Sequence, residues 1–300
     1  MIAITGATGK TGSRVAAALL EAKQPVRVLA RSAEKVDGLK AQGAEVAIGT
    51  LADPTYLKAA FDGCSGAYLV TPLNWSTVDP TAEEIAIGRA MAEALAGSTV
   101  HVVYLSVLKA RDKTGIPHFE SKAEIETALE AACPTLTVLR PAFFMENLLA
   151  QIGALSSSRT ISLPMPGHQP LAMVSTADIA EVTKQAFVRG PKGKEIYDVI
   201  GMRCYTPGEC ARLIGNSLGR TVYYKEMTDK DFTKMLEATG ASDHSVADLL
   251  CMFHYFKESR FTGDFDNVRK AFKYTSVTFE KFAEFMVSES GVQSSKFKVQ

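Results

Sequence analysis

The sequence predicts an α/β fold: a Rossmann-type doubly wound parallel sheet followed by a smaller, mainly helical C-terminal lobe. Three observations carry that expectation. A glycine-rich turn follows directly on an apolar strand at the start of the chain. Short β-rich runs then alternate with helical patterns through the first half, as a parallel sheet requires. After about residue 150 the alternation fades into Ser-, Gly- and Pro-rich stretches and helices.

Strands are expected over 1–5, 26–30, 44–48, 66–70, 100–105 and 136–139, and helices over 10–22, 33–41, 54–61, 80–96 and 118–132. Most of the strand runs are apolar throughout, as strands covered on both faces must be. Val15, Leu19 and Leu20 have the spacing of one buried helix face. Right-handed crossovers would bring all strand C-termini to one edge, where a ligand should lie. Further on, 156–159 and 164–170 read as loops, and Ser175 as the N-cap of a helix. The run 195–200 looks like one more sheet strand, and 207–218, 229–238, 243–256 and 279–288 look helical. The expected division is a dinucleotide-binding domain over 1–150, to which 174–200 returns. A smaller substrate or partner lobe takes 151–173 and 201–300. The polar tail 291–300 should fray.

Composition narrows the function. Lys+Arg and Asp+Glu balance at 33 each, which argues against nonspecific binding to nucleic acid or a membrane surface. No uncharged apolar run reaches the ~18 residues of a membrane span. The five cysteines are odd in number and include no CxxC pair, so neither a disulfide framework, a zinc ribbon nor another metal site is expected. That usage fits a reducing, cytoplasmic setting, and Met1 leads straight into a strand rather than into a secretion signal.

The sharpest motif is Gly6-Ala7-Thr8-Gly9-Lys10-Thr11-Gly12, a GxxGxxG between strand and helix. Gly6 permits the tight turn, Gly9 lets the backbone approach a pyrophosphate, and Gly12 lets helix and strand pack closely. The helix N-terminus adds free N–H groups, and Thr8, Lys10 and Thr11 add donors. The second strand ends at Ala30-Arg31-Ser32, where an enzyme using NAD usually carries an acidic residue for the ribose 2′-hydroxyl. Arg31 and Lys35 suit a 2′-phosphate instead, so NADP(H) is the expected cofactor. Asp53, after the third strand, either caps the next helix or meets the adenine edge.

None of the nine tyrosines has a lysine four residues later, so the Tyr-x-x-x-Lys pair that serves alcohol–ketone chemistry is missing. His118 and Lys122 occupy the matching place on one helix face. His118 is a candidate proton donor and Lys122 a candidate ligand of the nicotinamide ribose. The plainer alternative pairs Lys122 with Glu120 or Glu126 and leaves His118 to open the helix. Met252, Phe253, Tyr255 and Phe256, with Trp75, either roof a pocket or form core. Cys204, Cys210 and Cys251 read as buried thiols, and His101 as structural.

GATGKTG at the start, Arg31, the PHFESKAEIE segment and Leu139–Asn147 (LRPAFFMEN) together resemble the NmrA-like family of atypical short-chain dehydrogenase/reductases. The resemblance is looser beyond about residue 200. It implies phosphate contacts at Gly6, Thr8, Gly9, Lys10, Thr11 and Gly12, and 2′-phosphate contacts at Arg31 and Lys35. It implies that Val70, Thr71 and Pro72 border the adenosine and nicotinamide, and that Lys122 approaches the ribose. Phe143, Phe144 and Asn147 would line the pocket between the lobes. Such proteins are NADPH-dependent reductases of quinones and other small electrophiles, or redox sensors that act through a protein partner. The expected function is reduction of a small, quinone-like molecule or an activated double bond, because a quinone anion is resonance-stabilised and tolerates a missing strong acid. A non-catalytic sensor and a biosynthetic reductase with one dedicated substrate are the alternatives, and the sequence leaves a homodimer open.

Overall fold

A computed structural model describes residues 1–258 and 261–291. The tail expected to fray lies, but for Gly291, outside them. The first half runs β1 (Ile2–Ile4), α1 (Gly12–Glu21), β2 (Val26–Ala30), α2 (Asp37–Ala41, after a 3-10 turn over Glu34–Val36), β3 (Glu45–Ile48), α3 (Pro54–Phe61), β4 (Gly66–Leu69), α4 (Pro80–Leu95), β5 (His101–Leu105), α5 (Pro117–Ala132) and β6 (Leu136–Pro141). It continues through β7 (Phe143–Phe144), a 3-10 segment (Met145–Gln151), α6 (Ile152–Ser158), β8 (Thr160–Leu163), β9 (Leu171–Val174), α7 (Thr176–Arg189), β10 (Lys194–Val199) and β11 (Cys204–Tyr205). The last elements are α8 (Pro207–Leu218), β12 (Tyr223–Glu226), α9 (Asp229–Ala238), α10 (Asp243–Lys257), α11 (Asn267–Ala271) and α12 (Phe279–Glu289).

Seven parallel strands form one sheet in the order β10-β6-β5-β4-β1-β2-β3. β1 pairs with β2 on one side and β4 on the other, so the chain reverses its direction of winding there. A ligand crevice is expected beyond the C-termini of β1 and β4. Two apolar clusters cover the sheet, one built on Ile4, Val15, Leu19 and Val28 and the other on Leu57, Met91, Leu129 and Val138. β1, β4 and β5 are buried at every position, which is why they read as unbroken apolar runs. β10 joins the sheet beside β6, and α7 packs on α1.

Helix starts follow from side-chain chemistry. Asp53 accepts from Thr55 and Tyr56 N–H, the capping alternative for that residue, and Asp79, Thr206, Thr228, Ser242 and Thr278 cap in the same way. Ser175 caps α7, accepting from Ala177 N–H.

The structure corrects several expectations. Residues 156–158 end α6 instead of forming a loop, and each serine hydroxyl donates to the carbonyl four residues back at 2.9 Å. Arg159 then stops the helix with φ 53°. The C-terminal part is chiefly helical but also contributes β9 and β11 to a three-stranded sheet with β7, and holds the parallel pair β12-β8. Cys210 is buried, whereas Cys204 and Cys251 are only half-buried, and all five cysteines are free. Among the described residues, no helix is long and apolar enough to cross a membrane, and no metal-ligand cluster occurs.

Candidate active site

The glycine turn stands at the β1–β4 switch. Gly6 has φ +64°, and a Cβ there would lie 2.3 Å from Val70 Cγ1, at the end of β4. A Cβ on Gly12 would lie 2.2 Å from the Gly6 carbonyl oxygen. Neither position admits a side chain, so the turn stays tight and α1 starts close behind it. Gly9 N–H donates back to Gly6 O at 2.9 Å.

This turn walls a groove of about 860 Å³. Gly6, Thr8, Gly9, Lys10 and Thr11 form one side, and Arg31, from the end of β2, lines it too. Val70 and Pro72 line it as well. Thr71 is buried beneath them rather than facing the groove, Gly12 lies behind the turn, and Lys35 is exposed on the 3-10 turn beside it. The Thr71 side chain accepts from Lys122.

Lys122 is held from below. Its Nζ lies 2.5 Å from Glu84 Oε1 and donates to Thr71 Oγ1 at 2.8 Å. Thr71 donates to Glu84 Oε1 at 2.7 Å and Ser121 to Glu84 Oε2 at 2.5 Å. Glu84 is fully buried, and these donors compensate its charge. Two of the three ammonium protons are thereby committed, leaving one for a ligand. Neither expected carboxylate partner is used. Glu120 accepts from Gly115 N–H, and Glu126 binds Arg140 through both oxygens, Arg111 and Ser106. Burial, with Glu84 nearby, pushes the Tyr104 phenol well up, so it stays protonated beside Lys122.

The groove opens onto a second cavity of about 500 Å³. Thr11, Val70, Trp75, Phe144 and Asn147 line both. Phe143, His118 and Lys122 are also on the cavity wall. Asn147 accepts from Lys10 at 3.5 Å, which ties the glycine turn to this wall. Met252, Phe253 and Phe256 of α10 roof the cavity; Tyr255 does not line it. α10 is fastened to the rim, since Ser242 N–H and Ser245 Oγ both donate to the Trp75 carbonyl at 2.8 Å. His118 Nδ1 lies 2.6 Å from Asp248 Oδ1, also on α10. His101 lies apart, buried against Thr137, and burial lowers its pKa to about 4.

Glu84 and Asp248 were missed in the sequence, yet both left a signal. Glu84 falls on the stripe of Ile87, Met91 and Leu95, and Asp248 on that of Met252 and Phe256. A carboxylate inside an apolar stripe must find a buried partner.

A parallel sheet wound 3-2-1-4-5-6, with a glycine turn at its switch point and an apolar cavity beside it, defines a Rossmann-type protein with a two-part site. The chain belongs to the NmrA-like family, whose model matches residues 1–286. It is 27% identical over 285 residues to the NAD(P)H azoreductase of Xenophilus azovorans, covering 95% of this chain and 97% of that one. To quinone oxidoreductase 2 of Escherichia coli it is 25% identical over 252 residues, covering 83% and 85%. The fold matches the crystal structure of the E. coli NADPH-dependent quinone oxidoreductase complexed with NADPH, with a TM-score of 0.81, 23% identity and coverage of 96% and 100%. It matches the triphenylmethane reductase of Citrobacter sp. with a TM-score of 0.82, 20% identity and coverage of 96% and 99%.

Proposed function

We propose that this protein is an NADPH-dependent oxidoreductase that reduces a small, quinone-like molecule or an activated double bond. The observation that carries this reading is the shared wall: the groove and the cavity meet along Thr11, Val70, Trp75, Phe144 and Asn147. Two molecules seated there would touch, as hydride transfer demands.

The residues present fit a phosphorylated dinucleotide. The turn at Gly6 and Gly9 has no side chain to block a pyrophosphate, and Thr8, Lys10 and Thr11 supply donors around it. Arg31 offers a guanidinium fork for a 2′-phosphate, with Lys35 adding positive charge nearby. Val70 and Pro72 bound the adenosine and nicotinamide side, and Lys122 donates a hydrogen bond through its remaining N–H to the ribose. NADPH supplies the hydride when bound. Phe143 and Phe144 hold a flat apolar substrate, Asn147 adds a polar contact, and the aromatic roof excludes water. His118 donates the proton that the substrate anion then needs.

The relatives named as an azoreductase and a quinone oxidoreductase support this reading. A sensor acting through a partner would have no use for an apolar cavity with a histidine on its wall. The test is NADPH oxidation against a series of quinones, azo dyes and enones. Saturable turnover is expected, with kcat/KM reduced about 100-fold in Lys122→Ala through loss of an orienting contact. Tight NADPH binding with no turnover across the series would reject the reductase.

A further inference from the structure

We infer that Asp248 is a positioning residue for proton transfer: its carboxylate, carried by α10, holds His118 with a proton on Nδ1, so that protons reach the cavity from Nε2. The role in turnover rests on the reductase reading above.

The contact is 2.6 Å, within the range of a charge-assisted hydrogen bond. The Asp248 side chain is 4% exposed and that of His118 12%, so protein rather than bulk water surrounds them. An ionised carboxylate only accepts, so the proton between them belongs to the imidazole. The neutral ring then keeps its lone pair on Nε2, and the charged ring surrenders its proton from Nε2. Trp75 and Phe119 stand edge-on to the ring, with centroids 5.8 and 4.7 Å away, and restrict its rotation. The neighbouring charges are engaged elsewhere. Lys122 binds Glu84, and Glu120 accepts from Gly115 N–H. Among the described residues, His118 is the basic side chain within pairing distance of Asp248.

The step balances. With NADPH as the donor, a C–H bond of the coenzyme would break, the substrate would gain two electrons and one hydrogen as hydride, NADP+ would be left, and the substrate anion would take a proton from His118 Nε2. One N–H bond breaks and one O–H or C–H bond forms, leaving a neutral ring that recovers its proton from solvent. Asp248 exchanges no proton in this step. Because it shares a helix face with Met252 and Phe256, the helix that roofs the cavity also aims the proton donor.

The test uses the full chain with 15N-labelled histidine, with the His118 signals assigned through His118→Gln. Neutral His118 should show a pyrrole-type Nδ1 and a pyridine-type Nε2. Asp248→Asn should reverse that pattern. It should also lower kcat for quinone reduction by at least about tenfold, at the low end of what proton transfer contributes, while KM for NADPH changes less than about twofold. An Nε2–H pattern in the unaltered protein overturns the inference, and that spectrum decides even if the variant does not fold. An unchanged kcat in a folded Asp248→Asn protein also overturns it. An unaltered protein with the Nδ1–H pattern but no quinone turnover brings down the reductase reading, and the proton-transfer role with it.

Discussion

At the scale of single residues, two cations reach the site by different physics. Arg31 follows the last residue of β2, is exposed, and lines the groove beside the glycine turn. Its value to a ligand depends on meeting a second charge, since water satisfies it otherwise. Arg31→Ala is therefore expected to raise Kd for NADPH by roughly tenfold to a hundredfold, as the loss of a charge-assisted contact implies. Kd for NADH should change by less than about twofold, and titration of both nucleotides would check the pair. Equal losses would remove Arg31 from the 2′-phosphate. Lys122 is the opposite case, a buried ammonium whose position is dictated by Glu84 and Thr71.

The same contrast explains what was legible in the sequence. Gly6, Gly9, Gly12 and Arg31 could be placed from spacing alone, because a tight turn and the residue following a strand are local features. That Lys122 and His118 share one wall of a cavity also followed from their register. The partners of Lys122 and His118 could not be read, because Glu84 lies on another helix and Asp248 on α10, far along the chain. Tertiary pairing across 38 or 130 positions leaves no periodic trace beyond a carboxylate in an apolar stripe.

At the scale of elements, the 3-10 segment after β7 does two jobs. Asn147 lines groove and cavity, while the preceding Glu146 turns into the protein. The Glu146 carboxylate accepts from Thr176 N–H, Thr176 Oγ1 and Ser175 Oγ at 2.8–3.0 Å, at the N-terminus of α7. Acid at that end of a helix also meets the positive end of its dipole. Glu146→Ala should lower stability by about 1–3 kcal/mol, the cost of leaving buried donors unpaired. It should also weaken NADPH binding through the displaced Asn147. Urea unfolding and nucleotide titration on one preparation would separate the two effects, and unchanged stability would contradict the capping role. Helix α6 shows why serine-rich runs mislead: the hydroxyls that favour loops can also bond back along a helix.

For the whole molecule, two buried groups shape stability against pH. Burial, with Glu146 close by, raises the Asp178 carboxyl to about 7, although Val277 N–H donates to it. The unfolded carboxyl titrates near 4, so folding is favoured by protonation and stability is lost as pH rises from about 4 to 7. His101 is the mirror case. Burial lowers it to about 4 from near 6.5, so its contribution is lost as pH falls across that window. The two slopes oppose and flatten the curve. Asp178→Asn should remove one of them, making the protein more stable at pH 8, by up to about 4 kcal/mol, with little change at pH 4. Chemical denaturation at both pH values would measure it, and an equal change at both would exclude titration as the cause.

One carbonyl also links the halves of the site. Two donors at the start of α10 converge on Trp75 O, in the strand-end loop that edges the groove. Lifting the ceiling therefore tugs on the coenzyme's doorstep. The roof of the cavity and the edge of the groove therefore share one anchor, so a shift of either is felt by both.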